Sequence, residues 1–278
     1  PMMAPSVTSL VDEIVALLAS AGTPGRAEQE RRYLKSDLYF LGASHPETCR
    51  IARTVARREH LDRAATLALA QALWGPPVFE RRAAAATILE VGAGALLPED
   101  LPLLERLLRE SGTWALVDDL AASVVGEIVA RYPERVCDEL DRWAADRDFW
   151  IRRASLLAEL IPLKGGAPMG PFARRADSML DETEFFIRKA IGWVLREVGK
   201  RRPAEVVAWL ERRTDRASGV TMREAVKYLP APDGVRLMRA YTATGKARRT
   251  AGAGHRRATG RSLSPREGLR TRRTRGPG

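Results

Sequence analysis

Apolar residues return three and four positions apart through most of this chain. Leu10, Ile14, Leu17 and Leu18 are one example, and Leu101, Leu104, Leu107 and Leu108 another; this spacing lines one face of a helix. No segment sustains the period-two alternation of a half-buried strand. Helix breakers fall between the periodic stretches: Gly22-Thr23-Pro24-Gly25, Gly75-Pro76-Pro77, Pro133, Gly165-Gly166 with Pro168, and Pro230-Ala231-Pro232. The pattern predicts helices over residues 6–20, 26–36, 46–58, 62–73, 78–91, 99–111, 114–131, 134–145, 149–163, 170–180, 184–199, 203–213, 217–228 and 233–241. Paired in order, these make six or seven two-helix units, with the first less regular than the rest, as suits units that cap a stack.

A longer period overlies the short one. Phe79, Trp114, Trp150 and Phe186 follow one another at 35 or 36 residues. Three of them open a cationic signature: Phe79-Glu80-Arg81-Arg82-Ala83, Trp150-Ile151-Arg152-Arg153-Ala154 and Phe186-Ile187-Arg188-Lys189-Ala190. A weaker copy, Thr221-Met222-Arg223-Glu224-Ala225, comes next. A fixed period in this range marks an all-α helical-repeat solenoid, an α–α superhelix whose concave face suits a long partner. The copy at Trp114 departs from the rule, reading Ala115-Leu116-Val117-Asp118-Asp119 where the others carry paired bases.

The formal charge of +11 is localised. Residues 246–278 hold eleven bases and one acid, Glu267, leaving 35 bases against 34 acids before them. An anionic partner of the body must therefore be argued from where its bases sit. The Arg-, Gly- and Thr-rich stretch after Gly245 has little to bury and reads as a disordered tail, which divides the chain into a repeat domain, 1–245, and a basic tail, 246–278. No apolar run reaches the roughly 18 residues of a membrane helix, and no basic leader precedes the first helix, so the expectation is a cytoplasmic protein. Cys49 and Cys137 match no metal spacing and read as reduced, buried thiols. His45, His60 and His255 form no cluster, and neither a metal nor a cofactor is expected.

Three constellations carry candidate chemistry. Adjacent helical residues such as Arg152 and Arg153 point about 100° apart, so one can face a groove while the other pairs with neighbouring acids. Stacked at a matched register, these bases would form a stripe suited to a duplex backbone, or to an acidic protein. Trp114 and Asp118 lie one turn apart on one face. That Asp is either part of a site or bonded to a neighbouring helix end, a duty for which Asp119 is the natural candidate. Trp193 follows Phe186 by two turns and reads as core or as a site wall, whereas Trp74, Trp143 and Trp209 read as core.

At these residues the chain resembles a family. Glu184-Phe185-Phe186-Ile187-Arg188-Lys189-Ala190-Ile191-Gly192-Trp193-Val194-Leu195-Arg196-Glu197 is similar to the signature of the HEAT-repeat DNA alkylation repair family, the AlkD-type alkylpurine DNA glycosylases. Asp148-Phe149-Trp150-Ile151-Arg152-Arg153-Ala154-Ser155 resembles that family's preceding repeat, and Trp114-Ala115-Leu116-Val117-Asp118 its Trp-x-x-Val-Asp helix. Tyr33-Leu34-Lys35 and Tyr39-Phe40-Leu41-Gly42 with Pro46 are similar to its entrance segment. The resemblance spans roughly residues 26 to 230. It implies a monomeric DNA glycosylase, associated with the nucleoid when bound, that releases N3- or N7-alkylated purines from duplex DNA without a base-flipping pocket. It further implies Asp118, Trp114 and Trp193 as catalytic, Arg153 as a DNA contact beside the lesion, and Tyr33 and Lys35 as backbone contacts. Arg152, Arg188 and Lys189 join the expected DNA-binding set through the cationic signatures. One departure is Ala115, where family members often carry Asp, which puts rate in question more than reaction type. Two further readings share the scaffold: a non-catalytic DNA-structure binder and a protein-interaction scaffold.

Overall fold

The computed structural model describes residues 5–259, with side chains described through residue 245. The chain forms α1 (Val7–Ala21), α2 (Pro24–Leu34), α3 (His45–Glu59), α4 (Arg63–Trp74), α5 (Phe79–Val91), α6 (Leu101–Glu110), α7 (Trp114–Asp118), α8 (Gly126–Arg131) and α9 (Pro133–Ala144). It continues with α10 (Phe149–Leu157), α11 (Leu160–Lys164), α12 (Gly170–Ser178), α13 (Phe185–Gly199), α14 (Pro203–Glu211), α15 (Gly219–Ala225) and α16 (Ala231–Thr259). Among the described residues the only β pairing is an isolated parallel bridge between Tyr39 and Val78. Helix starts follow local chemistry: Ser6, Thr23, Ser44, Asp62, Asp148, Glu184 and Ser218 each cap a first turn through a side-chain oxygen.

The helices pack in two layers. α3, α5, the 114–131 segment, α10, α13 and α15 lie side by side in chain order, and α4, α9 and α14 back α5, α10 and α13. Trp74, Trp143 and Phe172 are fully buried between the layers, and Trp209 is buried too. The indoles of Trp74 and Trp143 donate to Glu110 and Glu105 at 2.9 and 3.0 Å.

Three expectations need revision. The helix read over 149–163 is broken at Ala158–Glu159, because the Pro162 ring cannot share a turn with the carbonyl four residues earlier. The segment over 114–131 is helical throughout but changes type, running as a π-helix over Asp119–Val125. The tail expected to be disordered from residue 246 is helical as far as Thr259, since α16 continues through Lys246-Ala247-Arg248-Arg249, all strong helix formers. Residues 260–278 lie outside the described residues.

The long period reappears as a ladder of polar contacts between successive repeats. Arg63 pairs with Asp100, Arg109 with Asp146, Arg142 with Glu105, Arg175 with Asp141 and Arg213 with Asp177, each across 34 to 37 positions. The signature bases belong to the same ladder. The first base of each pair turns back to carbonyls that end the preceding helix or its loop: Arg81 to Ala72 and Leu73, Arg152 to Asp146 and Arg147, Arg188 to Glu182. Arg152 also pairs with Glu182 at 2.8 Å. These bases satisfy orphan carbonyls and join repeats, so they do not form the phosphate-facing stripe expected for Arg152 and Arg188.

Glu80 anchors the extended entrance segment. Its carboxylate, 0% exposed, accepts from the backbone N–H groups of Leu41 at 2.9 Å and Gly42 at 2.6 Å. Gly42 is required there: its φ is +86°, and a Cβ would lie 2.1 Å from the Thr23 carbonyl oxygen. Phe40 stacks on Phe79 at 5.1 Å and seals the junction. Glu80→Ala strands two backbone donors in the interior and should cost about 3 kcal/mol in urea unfolding. A loss below about 1 kcal/mol would show that water reaches those donors.

Candidate active site

A single column of equivalent positions runs through the site-bearing layer: Arg82, Asp118, Arg153, Lys189 and Glu224, separated by 36, 35, 36 and 35 residues. Two neighbouring pairs of opposite charge in the column meet. Arg153 grips Asp118 side-on, Nε to Oδ1 at 2.8 Å and Nη2 to Oδ2 at 2.9 Å. Its remaining nitrogen, Nη1, donates to the carbonyl oxygen of Phe186 in the following repeat at 2.5 Å. Lys189 pairs with Glu224 in the same way. Arg82 does not meet Asp118, the next position in the column, which Arg153 holds, and donates instead to the carbonyls of Trp74 and Glu110.

This register relocates Trp114. Counted from the paired carboxylate, Ala115 occupies the place held by Phe79, Trp150 and Phe186, and Trp114 stands one residue ahead. Two of the aromatics that keep register pack together: Trp150 and Phe186 are 4.9 Å apart, and Phe149 lies 4.3 Å from Trp150. Trp114 turns instead to Tyr33, whose ring meets it edge-on at 5.9 Å. Gly112, at φ +65°, makes the turn that brings the chain into Trp114. Directly after Asp118 the backbone widens into the π-helix, a conformation concentrated at functional sites. The wider turn sets apart Asp118, which faces Arg153, and Asp119, which lies 3.6 Å from His45 Nε2. Asp119 thus lies against the N-terminal end of α3, in keeping with the neighbouring-helix-end duty expected of it.

Tyr33, Lys35, Trp114, Asp118, Trp150, Arg153, Phe185, Phe186, Lys189, Trp193 and Arg196 line one recess of about 760 Å³. The three residues expected to be catalytic thus line one recess, Trp114 and Asp118 from α7 and Trp193 from α13. A recess of this size was not expected from a resemblance that implies an open face. Six of its lining residues are aromatic, and the Asp118 carboxylate, 14% exposed, is its acid. Burial pushes the Asp118 carboxyl above its usual range, and the hydrogen bonds and charge of Arg153 pull it back. The guanidinium therefore opposes the protonation that burial favours.

The expected DNA contacts divide. Arg153 is 3% exposed and committed to Asp118 and Phe186, so it holds the carboxylate rather than presenting itself to a phosphate. Tyr33 is 67% exposed on the rim. Lys35 also lines the recess, held in the left-handed region at φ 49° as the cap of α2, with no ion-pair partner among the described residues. Lys189 reaches the rim while paired with Glu224. Sequence reasoning missed Glu224, which also binds Arg196 and Lys227, and it missed Arg196 as a wall of the recess. The 35-residue step from Lys189 to Glu224, equal to that from Asp118 to Arg153, was the available signal. Among the described residues no group of acids, histidines and cysteines could hold a metal ion.

The sequence pattern of the family described as DNA alkylation repair enzyme matches residues 14–229. Two solved structures are similar in fold. One is described as a predicted DNA alkylation repair enzyme from Enterococcus faecalis, with a TM-score of 0.65 and 23% identity over 76% of this chain and 97% of that one. The other is AlkD2 from Streptococcus mutans, with a TM-score of 0.57 and 16% identity over 81% of this chain and 100% of that one. A comparison with curated proteins finds no match.

Glu224 makes a pH-dependent contribution to stability. Burial works to raise its carboxyl, but the hydrogen bonds of Lys189 and Lys227 and the charges of Lys189 and Arg196 outweigh it and hold it at about 2. A depressed carboxyl stabilises the fold above its ordinary value of 4.5, and this contribution fades as pH falls from there towards about 2. Glu224→Gln should therefore cost about 3 kcal/mol at pH 7 and clearly less at pH 3 in denaturant titrations. An equal loss at both pH values would mean that packing, not charge, dominates.

Proposed function

Because the chain belongs to the DNA alkylation repair enzyme family, we propose that it is a DNA glycosylase releasing cationic N3- or N7-alkylated purines from duplex DNA. The observation that carries this reading is one carboxylate, gripped by one guanidinium, in a recess lined by six aromatic residues.

Alkylation at N3 or N7 leaves the purine positively charged, so the base departs with the electron pair of its glycosidic bond and becomes neutral. No acid is needed to protonate it, which suits a recess without histidine. Positive charge grows instead on the sugar. Asp118 stabilises that oxocarbenium-like centre and orients the attacking water, whose oxygen bonds to the anomeric carbon while its proton passes to the carboxylate and on to solvent. Arg153 uses one lone pair on each carboxylate oxygen, and a carboxylate has about four such sites, so both oxygens remain able to accept. The Trp114 and Trp193 π faces favour a cationic nucleotide over a neutral one by roughly 0.5–2 kcal/mol when desolvated. Lys35 and Tyr33 on the rim are the groups best placed to meet the phosphate backbone.

A non-catalytic DNA binder is the second reading, favoured by Ala115 at the position where family members often carry Asp. Base release from duplex DNA containing 7-methylguanine separates the two. Wild type should release free base, and Asp118→Asn should abolish release while keeping duplex affinity within a few fold. Release by Asp118→Asn at the wild-type rate would refute the role of the carboxylate, and no release by wild type would leave the second reading.

A further inference from the structure

Outside the recess, one cluster of reactive groups sits on the same layer of helices. Cys49 and His45 are one turn apart on α3, with the sulfur 3.5 Å from His45 Nε2. The same nitrogen lies 3.6 Å from a carboxylate oxygen of Asp119 in the π-helical segment. From α5 the Thr87 hydroxyl stands 3.4 Å from the sulfur, and it also bonds the Ala83 carbonyl at 3.0 Å. The Cys49 thiol is half-buried and the His45 side chain is 43% exposed, so the cluster is open to small molecules. The i, i+4 spacing of His45 and Cys49 was present in the sequence, yet the thiol read there as simply buried.

We propose that Cys49 is a nucleophilic thiolate, ion-paired with His45, and a site of covalent S-alkylation by small uncharged carbon electrophiles. A proton on Nε2 lies between sulfur and carboxylate and stabilises negative charge on both. In the reaction a sulfur lone pair forms the S–C bond, the bond from carbon to its leaving group breaks, and the leaving group departs with that electron pair. The imidazolium keeps its proton, and Asp119 compensates its charge once the thiolate has been consumed. The surrounding charges agree with this assignment. The hydrogen bond that the imidazolium donates to Cys49 and the nearby charges of Asp119 and Glu30 of α2 outweigh burial and lift His45 to about 9. Burial and the charge of Asp119 act to raise the thiol, but His45 and Thr87 bring it below its usual value. Asp119 is itself pushed up to about 6, chiefly by burial, with Glu90 and Asp118 adding to the effect and His45 opposing it. Arg53, one turn beyond Cys49, is paired with Glu90.

The test uses the full chain and iodoacetamide, with carbamidomethylation at Cys49 and Cys137 followed by peptide mass spectrometry from pH 5.5 to 9.5. N-acetylcysteine serves as the unperturbed thiol. Cys49 should react at least tenfold faster than N-acetylcysteine at pH 6.5, with the midpoint of its rate profile at lower pH. His45→Asn should move that midpoint upward and cut the pH 6.5 rate at least fivefold. A Cys49 rate at pH 6.5 no greater than that of N-acetylcysteine would overturn the proposal, as would a midpoint unmoved by His45→Asn. The wild-type profile alone decides if the variant fails to fold. Neither readout depends on base release.

Discussion

The contact between Arg153 and Asp118 is the constraint on which the site depends. One guanidinium spans three repeats, taking both oxygens of the carboxylate before it and a backbone carbonyl of the repeat after it. Such a pair is costly to bury, since both ions leave water, and it holds only where the remaining hydrogen bonds are satisfied. Here the third N–H group finds the Phe186 carbonyl, and the Phe186 ring lies 5.7 Å from the guanidinium carbon. The carboxylate position is therefore set by repeat spacing. A shift of one residue anywhere between Asp118 and Phe186 would break the contact.

The same economy runs through the whole stack. A helical repeat cannot bury its polar helix ends alone, and here the arginine side chains of one repeat reach the carbonyls and carboxylates of its neighbours. The charge column adds specificity, since an acid opposite a base favours one register and like charges oppose a slipped one. At Asp118 this structural device coincides with a reactive group. The residue that locks the stack is also the acid facing the recess, and the one-residue displacement of Trp114 puts an indole beside it instead of into the packed aromatic cluster.

Much of this was legible in the sequence. Three- and four-residue spacing located the helices, Pro and Gly located their ends, and the aromatic period announced the repeat. Trp114, Asp118 and Trp193 do share one recess. What periodicity could not supply was direction. Residues two turns apart share a face, but nothing local says whether Arg153 on that face meets solvent, phosphate or a carboxylate 35 positions earlier. The aromatic spacing also masked the true register, because Trp114 and Ala115 fit a period of 35 or 36 equally well. Only the pairing of Arg153 decides between them. The continuation of α16 beyond Gly245 was missed for a different reason: low apolar content argues against burial, yet a run of Ala, Arg and Lys remains helical on local propensity.

The central claim is that Arg153 exists to keep a desolvated Asp118 ionised, and it is tested most directly by following the Asp118 carboxyl carbon by NMR through an acid titration, in wild type and in Arg153→Gln. The wild-type group should titrate above the ordinary aspartate value of 3.8, and removing the guanidinium should move it further upward. A titration unmoved by the substitution, or displaced downward, would show that Arg153 does not hold the charge on Asp118.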